Sequence, residues 1–257
     1  MKRVGLNMVR KHVTVEPARW YYWCDKLGLM IWQDMPGMNY GVSGMTNNAE
    51  WFSKELLAML DNLKNVPSIV TWVIFNEAGG QHETENYVNL VKNYDPSRMV
   101  NEASGWTLYG FGDIKDIHSY PAPNYSASET QATAVGEYGG TQMKVDGHTW
   151  GAAGSVYAYV KDAAEYDSTY AAYSEMLFQH KVKSGLSAAV YTQLTDVETE
   201  LNGFMTYDRL LKTDTMNLYR ANRHVIDDYA DALNYVMTSA DVKPITWKYT
   251  TTEPAEG

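Results

Sequence analysis

The stretch Thr71–Gly80, "TWVIFNEAGG", decides how this chain is read. Its β-branched and aromatic opening suits a strand buried on both faces, and it breaks on Asn76-Glu77 before small, flexible residues. A buried strand that ends in a carboxylate and a loop has the character of a site. If it is one, other strands should end in polar groups too.

Strand-like and helix-like runs alternate on either side of it. "GLNMVR" (5–10) precedes "PARWYYWCDKLG" (17–28), where Pro17 suits a first helical position and Gly28 a stop. "LMIWQDMP" (29–36) precedes "NAEWFSKELLAMLDNLKN" (48–65), whose apolar residues recur at helical spacing. "SIVTWVIFNE" (68–77) precedes "ENYVNLVKNYDPSR" (85–98), and "MVNEASGW" (99–106) and "DIKDIHSYP" (113–121) follow as shorter strands. "ATAVGEYGG" (132–140) precedes "YAAYSEMLFQHKVKSG" (170–185), and "LSAAVYTQLTD" (186–196) precedes "TDTMNLYRANRHVIDDYADALN" (213–234). Seven strands, most followed by a helix, predict an α/β fold with a parallel sheet.

An open doubly wound sheet and a closed (β/α)8 barrel compete for this pattern. No glycine-rich phosphate fingerprint follows the first strand, which weakens the open sheet. Several strands instead end in polar residues: Arg10 and His12, Asp34, Asn76 and Glu77, His118 and Tyr120, Glu137 and Tyr138, Gln193 and Asp196. Functional groups gathered from many strand ends are the habit of the barrel. Seven strands are one short of eight, so the chain is expected to lack barrel strand one, with a gap between the first and last strands present or that gap filled by distorted closure or a partner chain. The barrel is expected over 1–235, and "KPITWKYTTTEPAEG" (243–257), within 236–257, reads as a linker and the start of a further β domain.

The composition agrees with one large domain of 257 residues, 45% hydrophobic. A net charge of −10, with no basic run, argues against nucleic acid and anionic membranes as partners. The single cysteine, Cys24, excludes an intramolecular disulfide and a cysteine-based zinc site. There is no apolar run long enough to cross a membrane, and no signal peptide at "MKRVGLNMVRKH".

Glu77 and Glu137 end the third and sixth strands, which would be strands four and seven of a complete barrel. In a closed barrel those ends face each other across the mouth. Glycoside hydrolysis needs such a pair, one carboxyl to protonate the leaving oxygen and one ionised to attack or to activate water. Either glutamate alone would read as a solvated loop residue.

At this point the chain resembles the catalytic barrel of glycoside hydrolase family 2, the β-galactosidases, β-glucuronidases and β-mannosidases of clan A. "GLNMVRKH" with "WYYWCDKLGLMIWQDMP" is similar to barrel strands two and three and the helix between them. "WVIFNE" resembles the fourth-strand acid/base motif, "HSYP" the sixth strand and "VGEYGG" the nucleophile motif of the seventh. "YTQLTDVETELNGFMTYDR" resembles an eighth strand and its loop.

The resemblance implies a retaining exo-β-glycosidase that acts by double displacement and needs no organic cofactor; some relatives use magnesium or sodium, which the sequence neither supports nor excludes. Glu77 would be the general acid/base, Glu137 the nucleophile, and Asn76 would hydrogen-bond the sugar 2-hydroxyl. Arg10 and Tyr120 would hold Glu137 ionised and oriented. His12 and His118 would bind sugar hydroxyls or be structural; Asp34 and Asp196 would contact hydroxyls or anchor loops; Trp106 and Trp150 would stack on a pyranose or simply pack. Gln193 stands where relatives commonly carry Trp.

A metal site of His12, His118 and Asp34 is disfavoured, since no His-x-His or helical His-x-x-x-His spacing exists. The resemblance also implies that β-sandwich domains precede the barrel in a parent that is bacterial and periplasmic or secreted. An oligomer is compatible with it. An inactive barrel fragment with weak carbohydrate binding is the competing reading. Glucuronide is disfavoured, because the only Asn-x-Lys, Asn62-Leu63-Lys64, falls inside a predicted helix. β-Galactoside is the expected substrate.

Overall fold

The structure is a computed structural model that describes residues 1–37, 49–152, 154 and 157–227. Its strands are β1 (Met8–Lys11), β2 (Met30–Asp34), β3 (Ile69–Asn76), β4 (Met99–Ser104), β5 (Ile114–Ser119), β6 (Ala132–Gly139), the two-residue β7 (Thr141–Gln142) and β8 (Ala158–Tyr159), and β9 (Ala188–Thr192). The helices are α1 (Ala18–Leu27), α2 (Ala49–Leu63), α3 (Thr84–Tyr94), α4 (Ala163–Ser184) and α5 (Thr215–Asp227). All seven expected strands are therefore present. Asn48, the end of the last expected helix beyond Asp227, and the whole of 236–257 lie outside the described residues.

Two parallel ladders run β1-β2-β3-β4 and β5-β6-β9. β5 lies beside β4, where Asp113 N–H donates to Val100 O at 2.7 Å, and β1 lies beside β9. Neither junction carries a ladder among the described residues. The curvature is legible in the packing instead. Met8, Trp32, Val73, Ile114, Ala134 and Ala188, one from each of β1, β2, β3, β5, β6 and β9, form a single apolar cluster. A layer drawn from strands along both parallel ladders, which also meet at β4–β5 and β1–β9, is how barrel strands fill their interior. The alternate positions Ile31, Trp72, Ile74 and Val100 turn the other way and pack with Leu56, Leu60 and Val91 of the helices. This is the barrel architecture that the strand ends predicted.

Three departures have local causes. α3 stops at Tyr94 instead of running to Arg98, because Asp95 precedes Pro96 and is biased out of the helical region. α4 begins well before Tyr170, started by Asp162 and Glu165: Glu165 N–H donates to Asp162 Oδ1, and Lys161 N–H to Glu165 Oε2, both at 2.9 Å. Between β4 and β5 no helix forms. Buried Glu102 instead accepts four backbone N–H groups, from Tyr109 and Gly110 at 2.6 and 2.8 Å and from Phe111 and Gly112 at 2.8 and 3.2 Å. A loop folded around one carboxylate satisfies groups that would otherwise be buried unpaired.

Candidate active site

The carboxyl end of the barrel gathers its polar residues around Arg10. From β1, its guanidinium is bidentate on Asp34 at the end of β2, with Nε to Oδ1 at 3.0 Å and Nη2 to Oδ2 at 2.8 Å. Nη2 also donates to Asn76 Oδ1 at 2.7 Å, and Nη1 to Glu137 Oε1 at 2.8 Å. One planar fork thus ties together the ends of β1, β2, β3 and β6.

The second oxygen of Glu137 accepts from Tyr120 OH at 2.6 Å, and Tyr120 OH also lies 2.9 Å from Thr192 Oγ1 at the end of β9. Burial by itself raises the Glu137 carboxyl, but Arg10, His118, the Tyr120 bond and His12 outweigh it and hold the carboxyl below the ordinary glutamate value. Asp34 behaves likewise: burial raises it, while Arg10 and His12 bring it down. Burial and the neighbouring Glu137 push the Tyr120 phenol up, so it stays a donor.

Glu77 reaches the same place from β3. It and Ala78 adopt φ of 46° and 59°, left-handed values uncommon for residues with a side chain, and Glu77 N–H is held by Ser104 O at 2.9 Å. Its Oε1 lies 2.7 Å from His118 Nδ1, which is also 3.5 Å from Glu137 Oε2. His118 therefore stands between the two glutamates. Oxygens of Glu77 and Glu137 and a His118 ring nitrogen all fall within 4.8 Å of one another. Three such atoms at this spacing could meet a cation, and Arg10 and Tyr120 each already take one hydrogen bond on a Glu137 oxygen. His12 is half exposed, its Nδ1 3.4 Å from Asp34 Oδ2 and 3.9 Å from Glu137 Oε1, and the His12–His118–Asp34 grouping does not form as a set of three.

Residues 1–227 match the family model described as "Glycosyl hydrolases family 2, TIM barrel domain". The chain belongs to this family. Similar curated proteins include a β-galactosidase of Leuconostoc mesenteroides subsp. mesenteroides, 31% identical over 111 residues, which is 41% of this chain and 11% of that protein. A β-galactosidase of Vibrio cholerae is 28% identical over 120 residues, 44% of this chain and 12% of that protein. The matched stretch thus spans about a tenth of the length of these curated relatives. Among solved structures, a β-galacturonidase of Eisenbergiella tayi bound to galacturonate superposes with TM-score 0.66 at 18% identity, over 86% of this chain and 45% of that one. An FMN-binding β-glucuronidase from Facaelibacterium prausnitzii L2-6 gives TM-score 0.63 at 19% identity, over 88% and 40%. At these identities the likeness is one of fold.

Within the family 2 barrel, Arg10, His12, Asp34, Asn76, Glu77, His118, Tyr120 and Glu137 come together. The remaining candidates have these settings. Asp196 is buried in an ion pair with Lys212 at 2.7 Å and accepts from Gly203 N–H at 2.8 Å, the loop-anchoring alternative. Gln193 donates to Asn202 Oδ1 at 2.7 Å. Trp106 and Trp150 are exposed, Trp150 edge-on to Tyr207 with ring centroids 5.8 Å apart. Asn62 donates to Ala58 O and Lys64 pairs with Asp61 on exposed α2, away from the strand ends.

Sequence reading missed Thr192, Ser104, Asp116 and Tyr157. Tyr157 stacks on Tyr120, centroids 3.9 Å apart and planes 9° from parallel, and extends the site wall toward Glu77 and Glu137, whose charges help raise its phenol after burial. Nothing periodic marks it in the sequence.

Proposed function

We propose that this barrel is the catalytic unit of a retaining exo-β-glycosidase that cleaves terminal non-reducing β-glycosides, β-galactosides foremost, by double displacement. The observation that carries the reading is the convergence of Glu77 and Glu137 on His118. An oxygen of each carboxyl lies within 4.8 Å of the other, which favours the roughly 5–5.5 Å carboxyl spacing of retention over the roughly 6.5–9.5 Å of inversion.

Glu137, held ionised by Arg10 and Tyr120, attacks the anomeric carbon while Glu77 protonates the departing oxygen. Water, deprotonated by Glu77, then releases the sugar from Glu137. Asn76, fixed by Arg10, donates to the 2-hydroxyl as the oxocarbenium-like transition state forms. The preference for galactosides rests on the names of the curated relatives and on the position of the only Asn-x-Lys, on the outside of α2.

Azide rescue tests the assignment in an active form of the protein. Glu137→Ala should abolish turnover and yield an inverted glycosyl azide, whereas Glu77→Ala should keep activity on good leaving groups and yield a retained one. The opposite stereochemistry would exchange the roles, and indifference to both substitutions would end the reading. A nitrophenyl glycoside panel then ranks the sugars.

A further inference from the structure

Behind Glu77 a chain of polar groups runs into the barrel and has no place in the reaction as set out above. His118 Nε2 lies 2.8 Å from Ser104 Oγ, and Ser104 Oγ donates to Asp116 Oδ2 at 2.6 Å. Ser104 and Asp116 are fully buried. Asp116 also accepts from Asn101 Nδ2 at 2.8 Å and from Gly136 N–H at 2.5 Å. Two glycines make room for this chain. A Cβ on Gly136 would run into the Asp116 carboxyl, and one on Gly105, at φ +75°, into the His118 ring.

Donor and acceptor arithmetic fixes the direction of the chain. Asp116 accepts from Gly136 N–H on Oδ1 and from Asn101 Nδ2 on Oδ2, and although burial raises its carboxyl against Arg10 and these donors, the second lone pair of Oδ2 faces Ser104 and takes its proton. The Ser104 oxygen can then only accept, so His118 must carry hydrogen on Nε2. That assigns the tautomer and leaves Nδ1 turned to Glu77 Oε1 at 2.7 Å. A 2.7 Å contact between a ring nitrogen and a carboxyl oxygen holds one proton, either on Glu77 beside a neutral imidazole or on Nδ1 beside a carboxylate.

Resting on the assignment of Glu77 as acid/base, we propose that Asp116, acting through Ser104, is a positioning residue that locks His118 in the Nε2–H tautomer so that Nδ1 and Glu77 share one proton. Transfer from Nδ1 to Oε1 turns imidazolium and carboxylate into imidazole and carboxylic acid, with charge and protons conserved. The charged groups facing this pair are Glu137 at 3.5 Å from His118 Nδ1, Arg10 bound to Glu137, and His12 at 3.9 Å from Glu137. Asp116 and Ser104 touch no substrate; they determine what His118 can accept.

Nitrogen-15 NMR of the imidazoles in the full chain reads the tautomer directly, whether or not the chain turns over glycosides. Wild type should give His118 with hydrogen on Nε2. Ser104→Ala should mix the tautomers, and Asp116→Asn, whose amide can donate to Ser104 and reverse its hydroxyl, should shift His118 toward Nδ1–H. A wild-type His118 bare at Nε2, or spectra unchanged by Ser104→Ala, would overturn the proposal; Ser104→Ala keeps the test alive should Asp116→Asn fail to fold. In an active form, both variants should lower kcat about 10–100-fold on alkyl glycosides, which need the acid, and spare dinitrophenyl glycosides, with a displaced pH profile. Equal losses on both substrates would assign a merely structural role and also overturn it. The two failures are separable: if Glu77 is not the acid/base, Glu77→Ala slows both substrates equally while the tautomer result stands.

Discussion

Arg10 and Lys212 are each a cation buried against an aspartate, and they differ in what they leave over. Lys212 gives its ammonium to Asp196 Oδ1 and Leu201 O, at 2.7 and 2.8 Å, and Gly203 N–H donates to the same aspartate oxygen at 2.8 Å. Side-chain exposure there is 0% and 2%, and every partner lies in one loop region. Arg10 covers Asp34 and still reaches Asn76 and Glu137, and Glu137 keeps 16% of its side chain open to solvent. The electrostatics differ in sense. At Asp34 burial is overcome by Arg10 and His12 and the carboxyl falls, whereas at Asp196 burial prevails over Lys212 and it rises, with Lys212 itself lowered by burial. A guanidinium with donors in a plane can organise several carboxyl groups and keep them ionised; an ammonium closes on one. A buried ion pair that satisfies itself is an anchor, and one that holds a further anion facing solvent is a site.

The largest expected effect breaks the Arg10 end of this comparison. Arg10→Met leaves Asp34 and Glu137 side by side with no cation, so unfolding stability should fall by about 3–5 kcal/mol and β-glycoside turnover should be lost. Urea titration and a nitrophenyl assay check it; a folded, active Arg10→Met would show that the carboxyl groups do not depend on the fork. At the other end, Lys212→Met should cost about 3 kcal/mol in the same titration while the folded fraction keeps its kcat within about twofold. Pairing it with Asp196→Leu should recover most of the loss, because an apolar pair needs no desolvation of charge. Loss of activity in a folded Lys212→Met would make that loop part of the site.

A smaller effect sharpens the comparison at Glu137. Tyr120→Phe removes one charge-assisted hydrogen bond, about 1.5–3 kcal/mol, and should lower kcat/KM about 10–100-fold. The pH dependence follows from the direction of the shift. The folded carboxyl titrates below the ordinary glutamate value of about 4.3, so activity that needs it ionised persists at neutral pH and is lost as pH falls through the lowered value. Without the Tyr120 donor that acidic limb should move up. A limb that stays in place would assign the lowering to Arg10 and His118 alone.

How much of this was readable in the sequence depended on whether the cause was local. β3 and β6 were legible because strands buried on both faces read as continuous apolar runs that end abruptly in Asn76-Glu77 and Glu137. The seat of Arg10 was legible through resemblance, since nothing in "MVRK" states which three acceptors it will meet. The start of α4 was written in Asp162 and Glu165, but its first turns are too polar to extend the apolar period, so a reading by periodicity began at Tyr170. Ser104, Asp116 and Glu102 were not legible at all. Their partners, His118, Gly136 and the 109–112 backbone, meet them only once β4, β5 and β6 are side by side. Two-residue β7 and β8 have no periodicity to read.

The smallest effect concerns an anchor remote from the site, and it separates fold from chemistry by pH alone. Asp95 accepts from Trp72 Nε1 at 2.9 Å and Ser97 N at 3.1 Å and pairs with Arg98 at 2.5 Å, while Arg98 Nε donates to Ile69 O at 2.7 Å, so one carboxylate pins the α3–β4 turn to β3. Burial raises the Asp95 carboxyl, but the Ser97, Arg98 and Trp72 donors outweigh it and bring it to about 2. Its value in the unfolded chain is about 3.9, so the sign is that of a depressed acid: the contribution is fully present above about pH 4 and disappears as pH falls toward 2. The shift corresponds to about 2 kcal/mol. Asp95→Asn should therefore lower urea-unfolding stability by that amount at pH 5 and by progressively less as both proteins are acidified, the curves converging near pH 2. Parallel curves for wild type and Asp95→Asn from pH 5 to 2 would mean that the turn is held by Arg98 and packing alone, with the carboxylate contributing no net stability.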